Sequence, residues 1–154
     1  MAAGNMTIYA ANIDDIRLND LLTATAKMAL VTSTYTPDAS STGHSLWSSA
    51  SANEIANGNG YTTGGATLGT KAITAITNGQ KFASANVAWT ASGGAIPAWR
   101  YGVLYVSGTL WGMTNPLLGY FVGDTTPADV GATADGNPLT LTCPATGWFY
   151  ITRT

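Results

Sequence analysis

Charge is what this sequence has least of. Lys, Arg, Asp and Glu make up 9% of the 154 residues, against roughly 25% in an average soluble domain. Six basic and eight acidic residues leave a formal net charge of −2. The basic residues Arg17, Lys27, Lys71, Lys81, Arg100 and Arg153 are scattered, so no basic face for nucleic acid is expected. One cysteine, Cys143, cannot form an internal disulfide, which removes a disulfide framework. No apolar run approaches the ~20 residues of a membrane-crossing helix. The opening Met-Ala-Ala-Gly-Asn has neither a basic segment nor an apolar one, so folding in a cytoplasm is expected. A single histidine, His44, and a single glutamate, Glu54, leave little for acid–base chemistry.

What replaces charge is Thr, Ser, Ala, Asn and Gly, with five Trp and seven Tyr. Disordered chains are charged and poor in aromatics, so a folded domain is expected. With few like charges to hold copies apart, such a surface tolerates contact with other subunits.

The catalytic combinations are weak. Asp38, His44 and a nearby serine share a turn-rich loop without a nucleophile-elbow pattern, so His44 reads as an exposed loop residue. Asp124, Asp129 and Asp135 match no calcium-loop spacing, and Asp is a common turn former. Glu54 lies in a flexible stretch and reads as a solvated loop residue, although an Asp in space would complete a glycosidase pair. One His and one Cys do not make a structural zinc site. No enzyme, metal or cofactor is expected.

Along the chain, Thr7–Ala26 is expected to be helical in part. Ile13, Ile16 and Leu21 share a face, and Asn12 stands as N-cap ahead of Asp14 and Asp15. Residues 1–26 are then an arm or short helix, and 27–154 a β domain. Lys27–Ser33 reads as a strand. The stretch after it, through the turn formers up to Ser45, reads as a surface loop. The loop character continues to Gly65, with Ile55 and Tyr61 as anchors. "ATLGTKAITAIT" suits a half-buried strand, and "ANVAWTA" puts Val87 and Trp89 on one face.

In "WRYGVLYVS", Trp99, Tyr101, Val103 and Tyr105 alternate with Arg100, Gly102, Leu104 and Val106. Both faces are largely apolar, which places the strand centrally in a sheet. "PLLGYFV", Pro116–Val122, is a further strand, with Pro116 at its start where a missing donor is tolerated, and "PLTLT" and "GWFYIT" close the chain. The pattern is all-β: an antiparallel β-sandwich, jelly-roll-like, of about eight short strands.

The stretch "GNGYTTGG", Gly58–Gly65, reads as a turn-and-bulge device. Its glycines take positive φ, and Tyr61 pins the redirected chain to the sandwich. It lacks the Lys and following helix of a phosphate-binding loop. Trp89, Trp99 and Trp148 lie in strands and read as core. Trp47 and Trp111 lie in loops and are surface candidates. Arg100, between two aromatics, must be paired or reach water, by stacking on a ring or by meeting a carboxylate across a subunit contact.

Five segments together resemble a family of small virion proteins of tailed phages: "KMALVTSTYTPD", "NEIANGNGYTTGGATLGTKAIT", "FASANVAWTASGGAIPAWRYGVLYVSG", "NPLLGYFVGD" and "PLTLTCPATGWFYIT". The most specific marks are Gly58–Gly65 and Trp99–Tyr105. The chain departs from the family pattern in "LTCPATGWFYIT" and in the inserted "TLWGM". The resemblance implies a structural protein at a head, head-fibre or tail position. The first expectation is a decoration protein on the outer head surface, a homotrimer bridging major capsid protein subunits. Interface candidates are Tyr9 and Ile13 on the arm, then Trp47, Tyr61, Arg100 and Trp111. The alternative is a carbohydrate-binding module of a fibre or tail, with Trp47, Trp111 and Asn115 as contacts.

Overall fold

Strands end where Gly, Pro and Asn force the chain to turn, and this chain turns often. The structure, a computed structural model, describes residues 5–13, 16–124, 126 and 128–153. Among these, twelve strands form: β1 (Thr7–Ile8), β2 (Ala26–Val31), β3 (Ala66–Thr67), β4 (Ala72–Ile76), β5 (Gly79–Ala83), β6 (Val87–Thr90), β7 (Tyr101–Val106), β8 (Thr109–Leu110), β9 (Met113–Thr114), β10 (Leu117–Val122), β11 (Pro138–Leu141) and β12 (Phe149–Thr152). Every pairing is antiparallel. The fold is an all-β sandwich.

The main sheet has the order β1-β10-β7-β2-β3. β7 is its middle strand, as its two apolar faces require. Tyr101, Val103 and Tyr105 face one side, while Leu104 and Val106 face the other. Trp99 breaks the alternation. The ladder starts at Tyr101, and Trp99 turns instead into the core with Leu104, edge-on to Phe121 at 6.2 Å. Across from Gly102 lies Phe121, and a Cβ on Gly102 would stand 2.4 Å from its ring.

The second layer contains the three-stranded sheet β12-β5-β4 and the pair β11-β6. Phe82, Phe149, Val87, Trp89, Leu139, Leu141 and Trp148 meet Met28, Leu30, Leu104 and Phe121 in one core. In β6, Val87 and Trp89 are buried and their neighbours exposed.

The other face of the main sheet is covered by loops. Tyr9, Tyr35, Trp47 and Ala50 pack on Ala29, Val31, Val103, Tyr105 and Leu117. The loop expected at the surface therefore carries a wall of the core, with Tyr35 buried.

The partial helicity expected in Thr7–Ala26 comes down to one short helix and one turn. Thr7–Ile8 pairs with β10, Ala10–Asn12 makes one 3-10 turn, and only Asp20–Thr23 is α-helical. Asn12 is no cap. It is fully buried, and its amide donates to the Ser45 and Leu117 carbonyls at 2.6 and 2.8 Å. Asp14 and Asp15 lie outside the described residues. "ATLGTKAITAIT" divides at Gly69-Thr70 into β3 and β4. The hairpin partner β5 follows a turn at Thr77-Asn78, where Asn78 has φ 60°.

Candidate functional site

The glycine-rich stretch is structural. The Tyr61 hydroxyl accepts from the Leu30 amide at 3.0 Å and donates to Glu54 Oε1 at 2.6 Å. The same oxygen accepts from the Gly64 amide at 2.7 Å, and the Tyr105 hydroxyl donates to the Gly64 carbonyl at 2.9 Å. Glu54 is thus fixed by the fold rather than presented to a substrate. Gly65 (φ 74°) lies so close to β2 that a Cβ would sit 2.0 Å from the Met28 carbonyl oxygen. Burial, reinforced by the Glu54 hydrogen bond, pushes the Tyr61 phenol pKa well up. Burial and the Glu54 charge push Tyr105 up to about 12.

His44 is held in the loop wall, with Nδ1 3.0 Å from the Tyr35 hydroxyl and its ring stacked on Tyr35. Tyr35 in turn shares a 2.6 Å hydrogen bond with Tyr9. The Ser40 hydroxyl, and with it the Ser40 amide at 3.1 Å, hydrogen-bonds the Asp38 carboxylate and holds its pKa below the ordinary range. It is the Asp38 backbone N–H that faces His44, at 3.4 Å. This is loop bracing, not the relay of a nucleophilic serine. Asp124 accepts from Thr126, and Asp129 pairs with Arg100. Among the described residues, no three His, Cys, Asp or Glu side chains stand close enough to hold a metal ion.

The residues expected at an interface fall into two groups. Tyr9, Trp47 and Tyr61 are buried within this chain's own core, so their rings are not available to a neighbour. Trp47 stacks on Tyr105 at 4.5 Å, and the Trp47 amide donates to Asn115. Arg100 finds its carboxylate inside the chain, Nε to Asp129 at 2.9 Å. Trp111 sits at the tip of the β8–β9 hairpin with φ 54°, followed by Gly112 at 74°. Two positive φ values make a primed hairpin turn, which a tryptophan adopts only under constraint. Its indole donates to Asp20 at 2.8 Å, and its ring leans on the core. Ile13 alone of the six stands well out, 53% exposed.

The surface that sequence reading missed belongs to the sheet β12-β5-β4. β4 reads Ala-Ile-Thr-Ala-Ile, with no charge, Pro or Gly. Among the described residues, its backbone hydrogen bonds go to β5 alone, and no strand pairs with its outer side. Lys71, just before it, turns away to the Ala24 carbonyl. Burial holds the Lys71 pKa below the ordinary value. Across the sheet, Tyr150 and Ile151 of β12 are 44% and 42% exposed. The Asn78-Gly79 pair was the signal for the β4–β5 hairpin, and hence for this open edge.

No protein family matches this chain, and no characterised protein or solved structure gives a significant match.

Proposed function

We propose that this protein is a structural subunit of a tailed-phage virion, acting as a decoration protein on the outer surface of the head. The observation that carries the reading is the open edge of β4. An unpaired strand of five uncharged residues is a template for another chain, and soluble monomers normally blunt such edges with Lys, Pro or a bulge. A subunit that ends its life in an assembly gains from keeping it. The low charge of the whole surface acts in the same direction. The resemblance of the Gly58–Gly65 and Trp99–Tyr105 segments to virion proteins supplies the setting.

The mechanism is additive burial. Each copy meets its own kind, as a homotrimer, and the major capsid protein beneath. A specific contact needs roughly 1,200–2,000 Å² of buried surface. Joining protomers multiplies weak contacts by avidity. Exposed Ile13, Val122 and Ile151 add apolar area where neighbours close over them.

The test is a head assembled without the protein. Such heads form but rupture at lower temperature than complete ones. Ala75→Lys, a charge on the exposed β4 edge, reduces the copies per head at least tenfold. Normal incorporation of the variant would refute the role of this edge. Normal rupture temperature without the protein would refute decoration itself.

A further inference from the structure

Beside the open edge, the outer sheet carries a recess of about 320 Å³ lined by Asn5, Ile76, Thr77, Thr146 and Tyr150. We infer that this recess binds one neutral saccharide unit, stacked on the Tyr150 ring. The inference is independent of the virion reading.

Four features of the lining converge. Its volume is at the lower end of small-ligand sites, large enough for a sugar ring and too small for a folded segment. Tyr150 is 44% exposed, and a phenol ring offers the flat apolar face that the C–H side of a pyranose covers. The polar groups around it are an amide and hydroxyls, which both donate and accept, as sugar hydroxyls do. The lining has no charge. Lys81, paired with Tyr150 across the strands, donates its ammonium to the Ala145 carbonyl at 2.6 Å instead.

The recess is also partly organised. The Thr146 hydroxyl donates to Asn5 Oδ1 at 2.8 Å, which leaves the Asn5 Nδ2 end of the amide as the donor for a ligand. Among the described residues, Asn5 Nδ2 and the Thr77 and Tyr150 hydroxyls make no hydrogen bond within the protein. Three elements contribute: the segment before β1, the β4–β5 turn, and β12 with the loop before it. The site therefore exists only in the folded chain. Trp47 and Trp111, the aromatic contacts expected for a glycan, are committed to Tyr105 and Asp20. Tyr150 takes that place.

The test is a titration of the intact isotope-labelled protein, followed by amide shifts, with methyl glycosides of glucose, galactose, mannose and N-acetylglucosamine. At least one is expected to saturate with a Kd on the order of millimolar, as a small shallow site allows. It should move the amides of Thr77, Thr146 and Tyr150. Tyr150→Ala is expected to weaken that binding at least tenfold, while Tyr150→Phe retains most of it because the stacking face is kept. Asn5→Ala weakens it several-fold. Absence of saturation by all four glycosides would overturn the inference, as would equal binding by Tyr150→Ala. Head rupture temperature is untouched by either result, so the two readings fail separately.

Discussion

Tyr61 shows how much one hydroxyl does in this protein. It serves the backbone of β2 and orients Glu54, which in turn holds Gly64. Tyr61→Phe keeps the packing but leaves a buried amide and a carboxylate oxygen short of a partner. It is expected to cost about 1–3 kcal/mol, measured by urea unfolding. The buried phenols also set an alkaline limit. Burial raises the folded-state pKa of Tyr9, Tyr61 and Tyr105. Their contribution to stability is complete below about pH 10, the ordinary phenol value. Above it, unfolded tyrosines ionise while folded ones do not, so stability falls as pH rises. Melting temperature should therefore hold level to about pH 10 and then drop, with the tyrosinate absorbance of these three phenols appearing only on unfolding. Absorbance that rises fully in the folded protein would contradict the burial of these hydroxyls. Among single residues, Tyr61 and Ile55 were legible as anchors because large apolar side chains amid glycines have little else to do. Asn12 was not, because a buried amide and a helix cap look alike until the partner carbonyls, Ser45 and Leu117, arrive from distant sequence.

At the scale of elements, close approach decides. Gly65 meets β2 backbone, and Gly102 makes room for Phe121. Gly65→Ala meets a carbonyl oxygen and an unfavourable φ together and is expected to lose more than about 2 kcal/mol. Gly102→Ala presses on the buried Phe121 ring and should cost about 1–3 kcal/mol. Equilibrium unfolding orders the two, and a neutral Gly65→Ala would contradict the packing of Gly58–Gly65 on β2. Alternation found β6, whose buried and exposed residues alternate, while β2, β7 and β10 were legible as apolar runs and are buried on both faces. It failed at Trp99, where a phase break precedes the ladder. It found β4 within a longer strand but missed β5, where half-buried Gly79 and exposed Gln80 carry little burial signal and only Asn78-Gly79 marks the turn. Thr7–Ala26 is helical only in part, at Ala10–Asn12 and Asp20–Thr23, because pairing of Thr7–Ile8 with β10 outweighs an approximate face of three residues. The same weak burial signal hid the open edge and the recess, since sequence pattern reports burial and these surfaces are defined by its lack.

Over the whole molecule, the main sheet is covered on both faces by its own chain, while in the outer sheet β12-β5-β4 no strand among the described residues pairs with the far side of β4. Both core clusters are built from this chain's own residues. On the proposed function, partners meet the protein at the periphery, at β4 and the exposed Ile13, Val122 and Ile151. Ala75→Lys should accordingly leave isolated-protein stability within about 0.5 kcal/mol, because Ala75 is exposed, while removing association. Sedimentation of wild type and variant across concentration separates the two effects. The most direct measurement is a density map of the intact virion at a resolution that traces strands. Many copies on the outer head are expected, with the Ala72–Ile76 edge covered by a neighbouring subunit. Few copies, or a β4 edge bare to solvent in every copy, would contradict it.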